Sequence, residues 1–403
     1  MTPGGLADRA RADRAEAVRR AARSWRRAGA IDDAALAAIE ARHPDDRVRV
    51  GPVFRVLLFL FTLIAGNAAF GMVGVLVGSA SRGGNEAVFL VVLSVLGGAA
   101  FAVLTEVQIG KLRRRQGGTE SATSFMAVGF LIGAISWWVF WPSTFHLFNV
   151  LPALCMVAAL LAAAAWRWGY PLYAGAATVT LLAALACLPF GRLLWIVLPL
   201  AAAPLLLKLS AAPRLPPAHR MSWTAVLLVS LAGLYAAVHI GCWEGQLIED
   251  VGKLSLLPSA PRGDAFWWMS VAATALVPVA LLAFGLRGRR YPLILLGAGT
   301  AVASLVTLRW YVHVAPLWVV LTLSGVALAA IVLVLRRYLE SGPNGERHGY
   351  TAAPLFQDAA RLRLLEDGAA IVTMTPAARN LHDEPKFEGD GGQFGGGGAS
   401  AEF

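Results

Sequence analysis

Charge is what this sequence has least of. Asp, Glu, Lys and Arg make up 15% of its 403 residues, where a soluble domain carries about a quarter. The shortage is uneven, because charges crowd into residues 1–55, a few short loops and the tail after Leu335. Between them the chain stays apolar for about 18–23 residues at a time, the length at which a helix crosses a bilayer core of about 30 Å. Alternating polarity is missing too, which excludes a lipid-facing β-barrel built from alternating segments of about ten residues.

Cysteine is scarce, and its spacing carries no metal or disulfide pattern. Cys155, Cys187 and Cys242 each fall inside or at the end of an apolar stretch, with no CxxC pair among them. A zinc site or a disulfide framework is therefore not expected, and all three are read as buried apolar packing. Catalytic signatures are absent as well. There is no HExxH, no GxxxxGK[ST] loop and no GxSxG elbow. No Asp, Glu, Lys or Arg lies in the middle of an apolar stretch, which weighs against a proton-coupled pump with an intramembrane carboxylate relay. No cofactor or metal is implied.

What is present is 57% hydrophobic residues and a mean hydropathy of +0.61. Ten spans follow, near 56–78, 87–106, 123–141, 145–165, 170–190, 192–209, 222–243, 265–285, 291–309 and 313–335. The expected fold is an all-α polytopic bundle of about ten transmembrane helices. Three parts are expected: a cytoplasmic helical hairpin over 1–52, the transmembrane domain over 53–338, and a Gly-rich tail over 339–403. No cleavable signal peptide is visible, so the run from Val53 reads as an uncleaved anchor.

The net charge of +10 tests the span count. With the N-terminus inside, the four inner loops hold eleven basic residues: Lys111, Arg113, Arg114, Arg115, Arg167, Lys208, Arg214, Arg220, Arg287, Arg289 and Arg290. The five outer loops hold five: Arg82, Arg192, Lys253, Arg262 and Arg309. That asymmetry is the positive-inside rule, with both ends of the chain in the cytoplasm. Losing one span would invert every later loop. The basic excess is thus explained by topology and anionic headgroups, and no nucleic-acid partner is expected.

In the N-terminal hairpin a first helix near Asp8–Ala28 stops at Gly29, and Asp32 or Asp33 caps a second helix that Pro44 ends. Val18, Ala22 and Trp25 share a face. Beyond residue 341 a polar linker over 343–354 leads to a short helix near Asp358–Leu365. The last segment, rich in Gly389, Gly391, Gly392 and Gly395–Gly398, has almost nothing to bury.

Polar residues inside or at the ends of spans are the candidates for function. Asn67 lies mid-span among Gly66, Gly71, Gly74 and Gly78, and reads first as interhelical glue. Gly74/Gly78 and Gly129/Gly133 make GxxxG pairs that let helices approach. His239, Glu244, Glu249, Asp250, Arg309 and His313 are expected to gather on the outer side around the long loop 244–264. Tyr170-Pro171-Leu172 and Tyr291-Pro292-Leu293 open two spans alike, so spans three to six resemble seven to ten as a parallel repeat, though Pro is common at helix starts.

The run Trp25-Arg26-Arg27-Ala28-Gly29-Ala30-Ile31-Asp32, followed by a second short helix and serial spans, resembles a family of uncharacterised bacterial "predicted membrane proteins". The ending Phe394-Gly-Gly-Gly-Gly-Ala399-Ser400 resembles Gly-rich tails of other bacterial membrane proteins, with Ala401-Glu402-Phe403 in place of a Gly-aromatic ending. Neither resemblance implies an activity. The reading is an inner-membrane protein of structural, assembly or partner-binding type, its partners the bilayer and a protein met through the hairpin or the tail. A carrier of a neutral or lipid-like substrate and an enzyme at the outer face are the alternatives.

Overall fold

The computed structural model describes residues 15, 18–19, 21–26, 29–44, 52–80, 86–110, 118–140, 147–188, 190–212, 214–239, 265–312, 316–342, 346–347 and 350–351. Among them eleven helices run in chain order. They are α1 (Asp33–Arg42), α2 (Pro52–Ala80), α3 (Glu86–Gly110), α4 (Thr119–Phe140), α5 (Leu147–Trp168), α6 (Pro171–Ala186), α7 (Gly191–Ala211), α8 (Pro217–Val238), α9 (Ala265–Arg287), α10 (Tyr291–Val312) and α11 (Leu317–Glu340). Nine of the described helices are long and apolar enough to cross a membrane. α6, in the place of the fifth expected span, has 16 residues, about 24 Å at the α-helical rise and short of a bilayer core. The chain is an all-α polytopic membrane bundle.

Burial confirms which solvent the helices face. The largest side chains exposed by less than 2% are Glu120, Thr105, Thr123, Thr274, Pro278 and Ser124. Large apolar side chains point outward instead, as with Phe61, Val75, Phe284 and Trp318. Small and polar groups inside with large apolar groups outside is the packing expected when the surrounding medium is as apolar as leucine.

Short turns make α5 with α6, α7 with α8 and α9 with α10 antiparallel hairpins, and α3 packs closely along α4. Side-chain contacts bring the four hairpin turns to one end of the bundle. Arg167 at the end of α5 pairs with Glu106 at the end of α3. The Trp166 ring lies 5.5 Å from the His219 ring at the start of α8. Arg290, before α10, donates to Ser210 Oγ at 3.0 Å near the end of α7. Arg167, Lys208, Arg214, Arg220, Arg287, Arg289 and Arg290 therefore share one end of the molecule. Lys111 and Arg113–Arg115 lie outside the described residues.

The turns have local causes. Gly169 follows α5 at φ +74° and donates to Ala165 O at 2.8 Å, closing the helix in a conformation that costs glycine nothing. Pro171 then opens α6 where no intrahelical N–H is needed. Gly118 stands at φ +96° before α4, and a Cβ there would run into the carbonyl of Arg55. At the opposite end Arg192 donates from Nε to Ala237 O at 2.7 Å, placing a cation on the carbonyl-rich end of α8.

The GxxxG expectation holds for Gly74 and Gly78, where a Cβ would stand 3.3 Å from Leu93 and 3.6 Å from Phe89 of α3, and needs correction for the other pair. A Cβ on Gly129 or Gly133 would meet open space, so that pair packs no helix. Close backbone approaches are made by Gly98 of α3, where a Cβ would stand 3.1 Å from Ala127 O of α4, and by α9 and α10. A Cβ on Gly297 would stand 2.9 Å from Leu282 N, and one on Gly285 3.0 Å from Ile294 N. These glycines are twelve residues apart on different helices, so spacing along one helix does not reveal them.

Outside the bundle, residues 21–26 are helical. Gly29 (φ +73°) and the Ala30 N–H to Trp25 O bond of 2.9 Å end that turn. Asp32 caps α1 by accepting from Ala35 N at 2.7 Å. Ala22 is fully buried while Val18 and Trp25 are exposed, so the expected apolar face is partly open. The stretch expected to be a linker holds a small antiparallel hairpin, β1 (Glu346–Arg347) with β2 (Tyr350–Thr351), and Arg347 lies 4.7 Å over the Tyr338 ring. The segment 353–403 lies outside the described residues.

Candidate functional site

Three places in the bundle concentrate chemistry. The first is the end that carries the hairpin turns. Glu106 takes two bonds of 2.7 Å from Arg167 Nε and Nη2 and one of 3.0 Å from Trp168 Nε1. Both charged side chains are about one-third exposed or less. The bidentate pair cancels a carboxylate and a guanidinium at the level where the chain leaves the apolar zone. Beside it Thr105 Oγ1 bonds Phe101 O at 2.8 Å and Thr123 Oγ1 at 2.9 Å. Ser124 Oγ reaches the Tyr173 hydroxyl at 2.8 Å. α3, α4, α5 and α6 are thereby tied through polar groups, and Glu120 is fully buried among them.

The second place joins α8, α9 and α10. Pro278 sits inside α9 and has no N–H, so the carbonyl of Thr274, four residues back, loses its helical partner. Ser304 of α10 donates to that carbonyl at 2.6 Å. Its single proton is then spent, so the one proton of the Tyr235 hydroxyl on α8 is shared between Ser304 Oγ at 2.7 Å and the Thr300 carbonyl. Tyr235 Oη also lies 3.1 Å from Thr300 O. His239 is one turn further on, its ring 5.1 Å from that of Tyr235.

The third place is a groove of about 450 Å³ between α5, α6 and α8. Ala158, Ala159, Ala162, Ala174 and Ala177 line most of it, because alanines leave room where larger side chains would fill it. Trp166, His219 and Trp223 line it at the end beside the basic turns, and Cys155 and Leu181 line it further along the helices. Cys155 is exposed there, which corrects the expectation that it is buried packing. Cys187 is half-buried, and Cys242 lies outside the described residues.

The sequence-derived candidates are not gathered into one site. Asn67 is on the exposed surface of α2 and donates to Leu63 O of its own helix at 2.8 Å. It is satisfied locally and does not act as a bond between helices. His239 ends α8, and it belongs with Tyr235. The backbone of Arg309 lies in α10, and nothing is described of its side chain. Glu244, Glu249, Asp250 and His313 lie outside the described residues, as does the loop around them. Among the described residues no group of three His, Cys, Asp or Glu is placed to hold a metal.

Sequence reasoning missed the Tyr235–Ser304 network and the groove. Pro278 was the available signal for the first, since a proline inside a span frees a carbonyl that something must satisfy. For the second, the alanine run over 158–165 was visible, but its facing wall on α6 and α8 was not. No family model, no curated protein and no solved structure matches this chain.

Proposed function

We propose that this is a multi-pass protein of a bacterial cytoplasmic membrane that holds a lipid-like chain in the alanine-lined groove between α5, α6 and α8. The basic end faces the cytoplasm in this reading, because seven described basic residues share that end and Arg192 at the other end is engaged with a helix terminus. The groove itself is the observation that carries the proposal. It runs along α5 from Trp166 to Cys155, about 16 Å at the α-helical rise, the depth of about half a bilayer core. Its wall is apolar, and its end beside the basic turns carries two tryptophans and a histidine, rings suited to the headgroup level.

The test is lipid retention. The full chain, extracted in mild detergent and washed, is expected to carry lipid visible by native mass spectrometry. Ala162→Phe fills the exposed floor of the groove and is expected to remove it without changing helix content. Equal lipid on the variant, or none on the parent protein, would sink the reading.

A second reading, binding of a protein partner through the N-terminal hairpin, is supported by the closure of that hairpin. Arg23 and Arg19 both reach Glu40, and Arg26 pairs with Asp33. Pull-downs with and without residues 1–44 test it; an unchanged set of co-purifying proteins counts against it.

A further inference from the structure

We infer that the N-terminal hairpin lies on the headgroups of an anionic bilayer, held there by Trp25 and by its excess of arginine. The inference goes beyond the reading of the groove and does not depend on it. The hairpin is closed by its own ion pairs, Arg23 with Glu40 and Arg26 with Asp33. Ala22 is fully buried, whereas Val18 and Trp25, on either side of it along the helix, stay 36% and 50% exposed. A half-open indole among arginines suits the headgroup level, where its apolar body is covered and its N–H stays hydrated.

Charge identifies the occupant. Between Arg9 and Arg42 nine arginines stand against five acids. Three of those acids are already engaged: Glu40 by Arg19 and Arg23, Asp33 by Arg26, and Asp32 as the cap of α1. The hairpin therefore carries positive charge that its own carboxylates do not offset. The end of the bundle from which it emerges is cationic as well. α2 begins beside the start of α4, where a Cβ on Gly118 would run into the Arg55 carbonyl. Thr123, in the first turns of α4, is bonded to Thr105, the neighbour of Glu106. This is the end that gathers Lys208, Arg287, Arg289 and Arg290.

Residues 43–51 alone join α1 to α2, so the hairpin stands no more than about 35 Å from that end. Two cationic surfaces on so short a tether repel each other unless anions lie beside them. A bilayer supplies both things the hairpin lacks at that level: phosphates for the arginines and an apolar layer beneath for Trp25. An acidic protein surface would answer the charge too, but the bilayer is already within reach of the tether.

The full chain is placed in nanodiscs of phosphatidylcholine alone and of equal phosphatidylglycerol and phosphatidylcholine, and amide exchange of residues 21–26 and 33–42 is read by mass spectrometry. Exchange is expected to be at least about threefold slower in the phosphatidylglycerol discs. The difference should vanish in about 1 M salt, where screening shortens to about 3 Å. Trp25→Ser, and separately Arg20→Gln with Arg27→Gln, should remove most of it, and Trp25→Phe should keep most of it. These changes leave the pairs to Glu40 and Asp33 in place. Exchange equal to the parent's in phosphatidylcholine discs shows that the hairpin of each variant is intact. Equal exchange of the parent in the two kinds of disc, or a difference that survives both Trp25→Ser and the double arginine change, overturns the inference. Slowing that appears only when a cytosolic protein fraction is added overturns it in favour of a protein partner. The groove reading is judged by lipid retention, so the two stand or fall separately.

Discussion

Ser304 Oγ lies 2.6 Å from the Thr274 carbonyl, the one acceptor in α9 that Pro278 deprives of its helical donor. A proline on one helix is thus answered by a serine on the next, and Tyr235 on a third helix completes the chain at 2.7 Å. Inside a bilayer no water satisfies an exposed carbonyl, so helices with interior prolines depend on neighbours.

The Pro278–Ser304 relationship predicts a specific coupling. Ser304→Ala should cost about 0.6–1.7 kcal/mol, the range for interhelical bonds in membrane proteins. In a Pro278→Ala background, the restored N–H of residue 278 should satisfy Thr274 O and shrink that cost. Unfolding of the four species in detergent measures the cycle. An identical cost in both backgrounds would show that the serine does not answer the proline.

The Glu106–Arg167 pair should behave as a unit. Glu106→Gln alone leaves the guanidinium with a neutral acceptor and is expected to destabilise the bundle by about 1–3 kcal/mol. Glu106→Gln with Arg167→Met should cost less than the sum of the single changes, because no half-buried charge is left behind. Additive costs in thermal unfolding would refute the coupling.

The glycines separate packing from composition. Gly297→Ala forces a methyl group to within 2.9 Å of the α9 backbone, and overpacking of this kind costs about 1–3 kcal/mol. Gly129→Ala and Gly133→Ala face open space and should be neutral or slightly stabilising, since alanine favours helix over glycine. Stability measurements giving the reverse order would contradict the packing of α9 on α10.

The N-terminal hairpin should loosen in acid. The hydrogen bond from Arg23, at 2.7 Å, holds the Glu40 carboxyl below the usual glutamate range. A carboxylate with a depressed folded pKa stabilises above its unfolded pKa and loses that contribution as pH falls through the folded value. Amide protection of α1 should therefore fall as pH drops through and below the ordinary glutamate range, and Glu40→Gln should flatten the response. The pair is exposed, so the change is small and salt should weaken it. Protection that falls equally in Glu40→Gln would assign the pH dependence elsewhere.

Much of the fold was legible in the residues. Each expected span has a helix in its place, and nine of the described helices have the length and apolarity that a bilayer imposes on a crossing, while α6 falls short of that length. The caps were legible for the same local reason: Asp32 and Gly29 act on their own turns. Asn67 was misread because a polar side chain mid-span has two ways to be satisfied, across to a neighbour or back to its own helix. The bond to Leu63 O is the second, and the two look alike in sequence. The Gly129/Gly133 pair failed because GxxxG states that a helix has a flat stripe, while the neighbour decides whether anything lies on it.

By itself the sequence determined the crossings and which turns carry the arginines, since hydropathy and charge act over contiguous residues. Tertiary structure decided which helix answers Pro278, where Arg167 finds its carboxylate, and that alanines from α5 and α6 meet the first turn of α8 around a groove. Those partners are up to about eighty residues apart, as with Arg290 and Ser210. Nothing in the local chain specifies such a meeting until the helices pack.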